Sequence, residues 1–200
     1  MILLTLVAIA LGISLLCGGT LRSLANIRLK HSYLVLVALA IQIVVFSSWW
    51  AQLPVQAFWK PLAYAISLFL LLLTIWLNRH LPGILVLGIG LLLNTVVILA
   101  NGGHMPATLR ALQGAGIASS QAEFEAGRTA NSSVMGAATP LWFLGDIFYL
   151  PHPLPLANVF SIGDVFIVLG AIWFVAASTR PSPDRPTDHP PSDSHSPLDS

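Results

Sequence analysis

Residues 83–100 read GILVLGIGLLLNTVVILA, an unbroken apolar run whose only polar side chains are Asn94 and Thr95 and which carries no charge. At about 1.5 Å per residue such a run makes a helix of about 27 Å, close to a hydrocarbon core of about 30 Å. Four further runs of the same character lie at 2–18, 33–49, 61–77 and 161–178. Together they predict an all-α fold, an integral membrane bundle of five transmembrane helices. The whole chain agrees: 56% of its 200 residues are hydrophobic and 8% charged, with mean hydropathy +0.80. A soluble domain carries about 25% charged residues, so a water-soluble globule is excluded and the lipid bilayer is the expected partner. Nine Lys and Arg against eight Asp and Glu give +1 without a basic block, which argues against nucleic acid.

The first run reads as a retained span. No Lys or Arg precedes it, no small-x-small site follows it, and Leu16 stands before Cys17 where a lipidation signal needs a small residue. As the only cysteine, Cys17 excludes an intramolecular disulfide and a cysteine-cluster metal site. Trp49, Trp50, Phe58 and Trp59 bracket the second connection, where amphipathic rings favour the headgroup level. The short link Asn78–Pro82 makes a tight antiparallel hairpin of the third and fourth runs.

Orientation follows from the basic residues. Arg22, Arg28, Lys30, Arg79, Arg180 and Arg185 fall on one side, and Lys60, Arg110 and Arg128 on the other. The positive-inside rule then places the N-terminus outside and the C-terminus in the cytoplasm. Making 134–150 a sixth span would bury Asp146, at about 3 kcal/mol, and would reverse the charge balance. That segment is expected to be re-entrant or interfacial. Residues 1–178 form the membrane domain, and the Pro-, Ser- and Asp-rich 179–200 is expected to be a disordered cytoplasmic tail.

Chemistry concentrates in the outer connection, 101–160, and at its exit. Glu123, Glu125, Asp146 and Asp164 are the only acids before the tail, and His104 and His152 lie there too. Asn101-Gly102-Gly103-His104-Met105-Pro106 predicts a left-handed helix end, a sharp turn and a helix opened by Pro106, running from about Ala107 to Gln113. Ser120–Glu123 and Ser161–Asp164 match capping boxes, in which the acid reaches back to the cap backbone. Asp146, between Trp142-Phe143-Leu144-Gly145 and Ile147-Phe148-Tyr149-Leu150, must be paired, protonated or open to water, with Arg110 and Arg128 as candidate partners. Gly83, Gly90, Asn94 and Asn101 lie within about 20° of one line on a helix of 3.6 residues per turn. This stripe suits close packing, with Asn94 bonded to a neighbour such as Gln42, or else a narrow polar track.

The motifs Asn101-Gly102-Gly103-His104-Met105-Pro106, Leu144-Gly145-Asp146 and Leu154-Pro155-Leu156-Ala157-Asn158-Val159-Phe160-Ser161-Ile162-Gly163-Asp164 are similar to those of an uncharacterised family of bacterial polytopic membrane proteins, domain of unknown function fifty-three-seventeen. The resemblance implies a small multi-span protein of the bacterial cytoplasmic membrane and supplies no activity. The stretch Ser132–Pro140 is less charged here than in that pattern, which leaves Asp146 and Asp164 as the acidic candidates.

No HExxH, phosphate-binding loop or nucleophile elbow is present, so no catalytic residues, metal or cofactor are expected. The leading expectation is a non-enzymatic accessory or scaffold subunit that contacts a membrane-protein partner through its outer face. The alternative is a carrier or binder of a small amphiphile or cation. Asn94, Asn101, Gly102, Gly103, His104, Asp146 and Asp164 are the candidate ligand or partner contacts. A lipid-active enzyme with His104 or His152 as general base ranks last, because neither has a visible nucleophile beside it.

Overall fold

The computed structural model describes residues 2–25, 27–47, 56–127, 132–154 and 156–180. Trp49, Trp50, Arg128, Arg185 and the tail from residue 181 lie outside the described residues, as does the Phe58 side chain. All five apolar runs are helical: α1 Ile2–Leu16, α3 Tyr33–Val45, α4 Gln56–Leu77, α5 Ile84–Ala100 and α8 Ile162–Ser178. A short α2, Leu21–Ala25, follows α1. Helix α4 begins before the expected boundary and carries Pro61 in its first two turns. Trp59–Leu77, 19 residues of mean hydropathy 1.8, is by itself long and apolar enough to cross a membrane. Thr5–Leu16, Tyr33–Val45, Ile84–Ala100 and Ile162–Ser178 are shorter apolar helices.

The long helices pack as a row, α3 on α4, α4 on α5, α5 on α8 and α8 on α1. The α5–α8 seam is the tightest, because glycines face each other across it. A methyl group added at Gly83 would stand 2.3 Å from the Gly170 carbonyl oxygen, and one at Gly90 would stand 2.3 Å from that of Gly163. Both pairs are seven residues apart, which keeps two antiparallel helices in backbone contact over two turns. Between α3 and α4 the Gln42 amide donates to Ser67 (3.1 Å), whose own hydroxyl donates to the Tyr64 carbonyl (2.7 Å). Gln42 is thus not the partner of Asn94.

At one end of the row the connections are stitched to the helices. Asn78 is buried; its amide oxygen accepts from the Lys30 amide (2.8 Å) and its nitrogen donates to the Lys30 carbonyl (2.9 Å). Thr179, also buried, accepts at its carbonyl from the Thr20 amide (2.8 Å) and bonds Ser14 through its hydroxyl. Arg22, Arg28, Lys30, Arg79 and Arg180 belong to the connections and helix termini gathered at this end.

The opposite end carries the cap, residues 101–160. It contains α6 Leu109–Gly114, α7 Gln121–Gly127 and four three-residue strands: β1 Met105–Ala107, β2 Ser132–Val134, β3 Phe148–Leu150 and β4 Asn158–Phe160. The protein is therefore predominantly helical, consistent with the all-α expectation, and among the described residues these short strands are confined to the cap. Strand β1 pairs in parallel with β2, and β3 antiparallel with β4. Pro106 lies in β1 rather than opening a helix, and its carbonyl accepts the Asp146 amide at 2.8 Å. Thr108, in extended conformation, is the actual N-cap, so α6 starts two residues later than expected; its side chain accepts from the Ala111 amide at 3.2 Å. The 134–150 segment forms no sixth helix. It runs from β2 through a 3₁₀ turn, Trp142–Leu144, into β3. Leu141 and Leu144 pack on the cluster of Tyr64, Leu68, Val97, Ile98 and Met105, which joins cap to bundle. A second cluster inside the cap consists of Ala107, Leu112, Ala118 and Phe124.

Candidate functional site

The seven residues singled out by the sequence fall into three places. The first is the head of the α5–α8 seam. Ser161 caps α8, accepting the Asp164 amide (3.0 Å), while the Asp164 carboxylate accepts the Ser161 amide (3.0 Å), completing the expected box. Asn94, one turn beyond Gly90 on α5, enters the same network. Its amide nitrogen donates to the second Asp164 oxygen (2.8 Å), and its oxygen accepts from the Ser161 hydroxyl (2.9 Å). Asn94 can come this close because Gly163 has no side chain: a methyl there would stand 2.0 Å from the Asn94 oxygen. The polar stripe of α5 is therefore a packing and capping device, and Asp164 is fully engaged in it.

The second place is the turn after α5. Asn101 caps the helix, and Gly102 and Gly103 take φ of +65° and +89°. Their amides return to Leu99 (3.3 Å) and Ile98 (2.9 Å), the two bonds of a Schellman ending that a left-handed residue permits. The Asn101 amide also donates to the Pro140 carbonyl (3.0 Å), tying the cap loop to the helix end. The half-buried His104 follows, its backbone amide on the Asn101 carbonyl at 3.3 Å. His152 sits elsewhere in the cap, against Gly116.

The third place is a cavity of about 310 Å³ within the cap, lined by Asp146, Glu123, Ser132, Asn158, Leu112 and Phe124 among others. Asp146 is held rigidly through its backbone, since its carbonyl also accepts the Thr108 amide at 3.1 Å in a parallel bridge opposite Ala107. Among the described residues its carboxylate forms no ion pair, and Arg110 does not reach it. Arg128, the other expected partner, lies outside the described residues. Burial, with a smaller contribution from the charge of Asp164, pushes the Asp146 carboxyl up to about 7. Glu123 behaves in the opposite way. Hydrogen bonds from the Ser119 hydroxyl and amide hold its carboxyl below the usual range. Its backbone amide donates to Ser120 (3.2 Å), so the box closes onto Ser119, one residue before the expected backbone partner. Glu123, Ser132 and Asn158 were not assigned to a common site from the sequence, because only the strand pairings bring them together. No group of three His, Cys, Asp or Glu suited to a metal occurs among the described residues.

The chain is thus defined as a helical row with a small mixed cap set between its fifth and last helices. It belongs to a family of unknown function, DUF5317, whose family model matches residues 26–176. That match takes in α3, α4, α5, the entire cap and all but the last two residues of α8. No curated protein and no solved structure matches the chain.

Proposed function

We propose that this is an integral protein of the bacterial cytoplasmic membrane, with α1, α3, α4, α5 and α8 crossing the bilayer, the N-terminus and cap outside and the C-terminus in the cytoplasm. The observation that carries this reading is the outer surface of the row. Each of the five helices exposes large apolar side chains, from Ile9 and Ile13 on α1 to Leu169 and Trp173 on α8. A water-facing surface of this extent is untenable for a soluble monomer. Exposed aromatics border it: Trp59 and Trp76, 17 positions apart on α4, are separated by about 26 Å at helical rise. That spacing suits two aromatic belts on either side of a bilayer core. Exposed Trp173, beside Gly83, and exposed Tyr33, which opens α3, lie toward the same end of the row as Trp76, and exposed Trp142 and Phe143 belong to the cap at the other. The stitched end carries basic side chains, as a cytoplasmic face should.

Within that membrane frame the protein acts as a non-enzymatic accessory or scaffold subunit, its cap forming the contact surface for a membrane-protein partner. Support comes from the exposed Trp142, Phe143 and Leu154 on the cap and from two histidines held in separate parts of it. Topology labelling in a Cys17→Ser background tests the frame. A single cysteine at Glu125 should react with an impermeant maleimide in intact cells, and one at Arg22 only after lysis. The reverse pattern overturns the orientation, and release of the protein by alkaline carbonate overturns membrane insertion. Native mass spectrometry from native membranes tests the role: a partner at fixed stoichiometry supports it, and a lone chain that transports solute defeats it.

A further inference from the structure

The cap cavity is not used by the scaffold reading, and its chemistry is specific. We propose that it is a binding site for a small organic monocation, an ammonium group on a short apolar body, with the Asp146 carboxylate as the counter-ion. This inference stands independently of the scaffold role.

The argument begins with charge. Among the described residues lining the cavity, the only ionisable side chains are Asp146 and Glu123, and Lys, Arg and His are absent from its wall. The two acids differ in availability. Glu123 already accepts two hydrogen bonds from Ser119, whereas the Asp146 carboxylate accepts none from a described residue. A half-buried carboxylate facing a cavity without a donor is costly, and a cation with N–H groups removes that cost. Asn158 supplies a further polar atom on the wall, its amide oxygen able to accept a remaining ammonium hydrogen.

The remaining walls select the kind of cation. Leu112, Phe124 and Val159 contribute apolar surface, which an alkyl body would cover and a bare metal ion would not. A hard cation such as calcium takes six to eight oxygen ligands, whereas this wall offers two acids among mostly apolar side chains, and no group of three His, Cys, Asp or Glu suited to a metal occurs among the described residues. At about 310 Å³ the cavity stands at the small end of ligand sites, which run from about 300 to 1,000 Å³. The mounting is rigid as well: both backbone groups of Asp146 are bonded, to Pro106 and Thr108, so the counter-ion is positioned before the ligand arrives. The charge acting on Asp146 is that of Asp164 on α8, and Glu123 on α7 shares the cavity wall; both are acidic. They favour a cation further and make its binding compete with a proton on Asp146.

The test uses the full chain in nanodiscs, with n-butylammonium as probe and n-butanol as its neutral counterpart, read by isothermal titration calorimetry at pH 6 and pH 8. Saturable binding of the amine but not the alcohol is expected, tighter at pH 8, and weakened at least tenfold by Asp146→Asn. Glu123→Gln should weaken it less. Nanodiscs with and without phosphatidylethanolamine separate the two sources of such a group. Competition by that lipid identifies a headgroup ammonium, and indifference identifies a free amine. No saturable amine binding overturns the proposal, as does equal affinity in Asp146→Asn. Unchanged circular dichroism and melting at pH 5 establish that this variant is folded.

Discussion

Replacing Gly90 by alanine sets two opposed effects against each other. In an exposed helix interior Gly→Ala gains up to about 1 kcal/mol, because alanine loses less backbone freedom on folding. At Gly90 the new methyl would stand 2.3 Å from the Gly163 carbonyl oxygen and 2.6 Å from the Ile167 amide nitrogen, both backbone atoms that cannot swing aside. Restoring an ordinary carbon–oxygen contact of about 3.3 Å moves α8 away by about 1 Å. One turn further on, that displacement stretches the Asn94–Asp164 bond from 2.8 Å to a length at which it no longer counts as one. Overpacking costs about 1–3 kcal/mol and loss of a hydrogen bond to a charged group about 1.5–3 kcal/mol, so the net destabilisation is about 2–4 kcal/mol. Thermal unfolding in detergent, followed by circular dichroism, should register this as a Tm lower by about 5–15 °C. Gly12→Ala on α1, where nothing lies within 4 Å of the added methyl, is the control and should hold or raise Tm. A Gly90→Ala protein as stable as the parent would refute the seam. So would a full Gly90→Ala penalty persisting in an Asn94→Ala background, since part of that penalty is assigned to the Asn94 bonds.

Two other perturbations follow from the same geometry. The Asp146 carboxyl is raised in the folded state from 3.8 to about 7, so between those values the native chain holds a proton that the unfolded chain has lost. Stability accordingly falls as pH rises through this window, and Asp146→Asn removes the dependence. Relative to that variant, the parent should lose about 2–3 kcal/mol between pH 5 and pH 8, read as diverging Tm values; parallel curves would show that the carboxylate is already satisfied. Asn78→Ala leaves both backbone groups of Lys30 without their side-chain partners, at a cost of about 2–3 kcal/mol. Hydrogen exchange at the Lys30 amide should quicken, and unchanged protection there would mean that this stitch does not hold the connection.

The helices were legible because hydrophobic runs report directly on them, and all five form near the expected limits. The Ser161–Asp164 box was equally plain, since a cap depends on a spacing of three along one chain. The partner of Asn94 was not. Gln42 and Asp164 are both chemically adequate, and only the approach of Gly90 to Gly163 decides between them. A clue was present, in that Gly163 and Gly170 repeat the seven-residue spacing of Gly83 and Gly90. The cap was read least well. Its strands are three residues long, too short for any alternation to show, and Met105-Pro106-Ala107 becomes a strand only through pairing with residues 132–134 and Asp146. For the same reason the cavity, whose wall draws on positions between 107 and 159, has no signature in any one segment.

The seam between α5 and α8 has a topological consequence. Two antiparallel helices in backbone contact would ordinarily be joined by a short link, yet here about sixty residues intervene between neighbouring ends. The cap is in this sense an insertion in a hairpin, entering at Asn101 and leaving at Ser161, with both gateposts fixed by hydrogen bonds to α5, from the Asn101 side chain to the Val97 carbonyl and from the Ser161 hydroxyl to Asn94. Because closure entropy grows only with the logarithm of loop length, the hairpin is nearly indifferent to what is housed between its posts. The bundle therefore constrains where the cap begins and ends and, through Leu141 and Leu144, how it is seated, leaving the rest of the cap free to diverge as a module while the glycine spacing beneath it stays fixed.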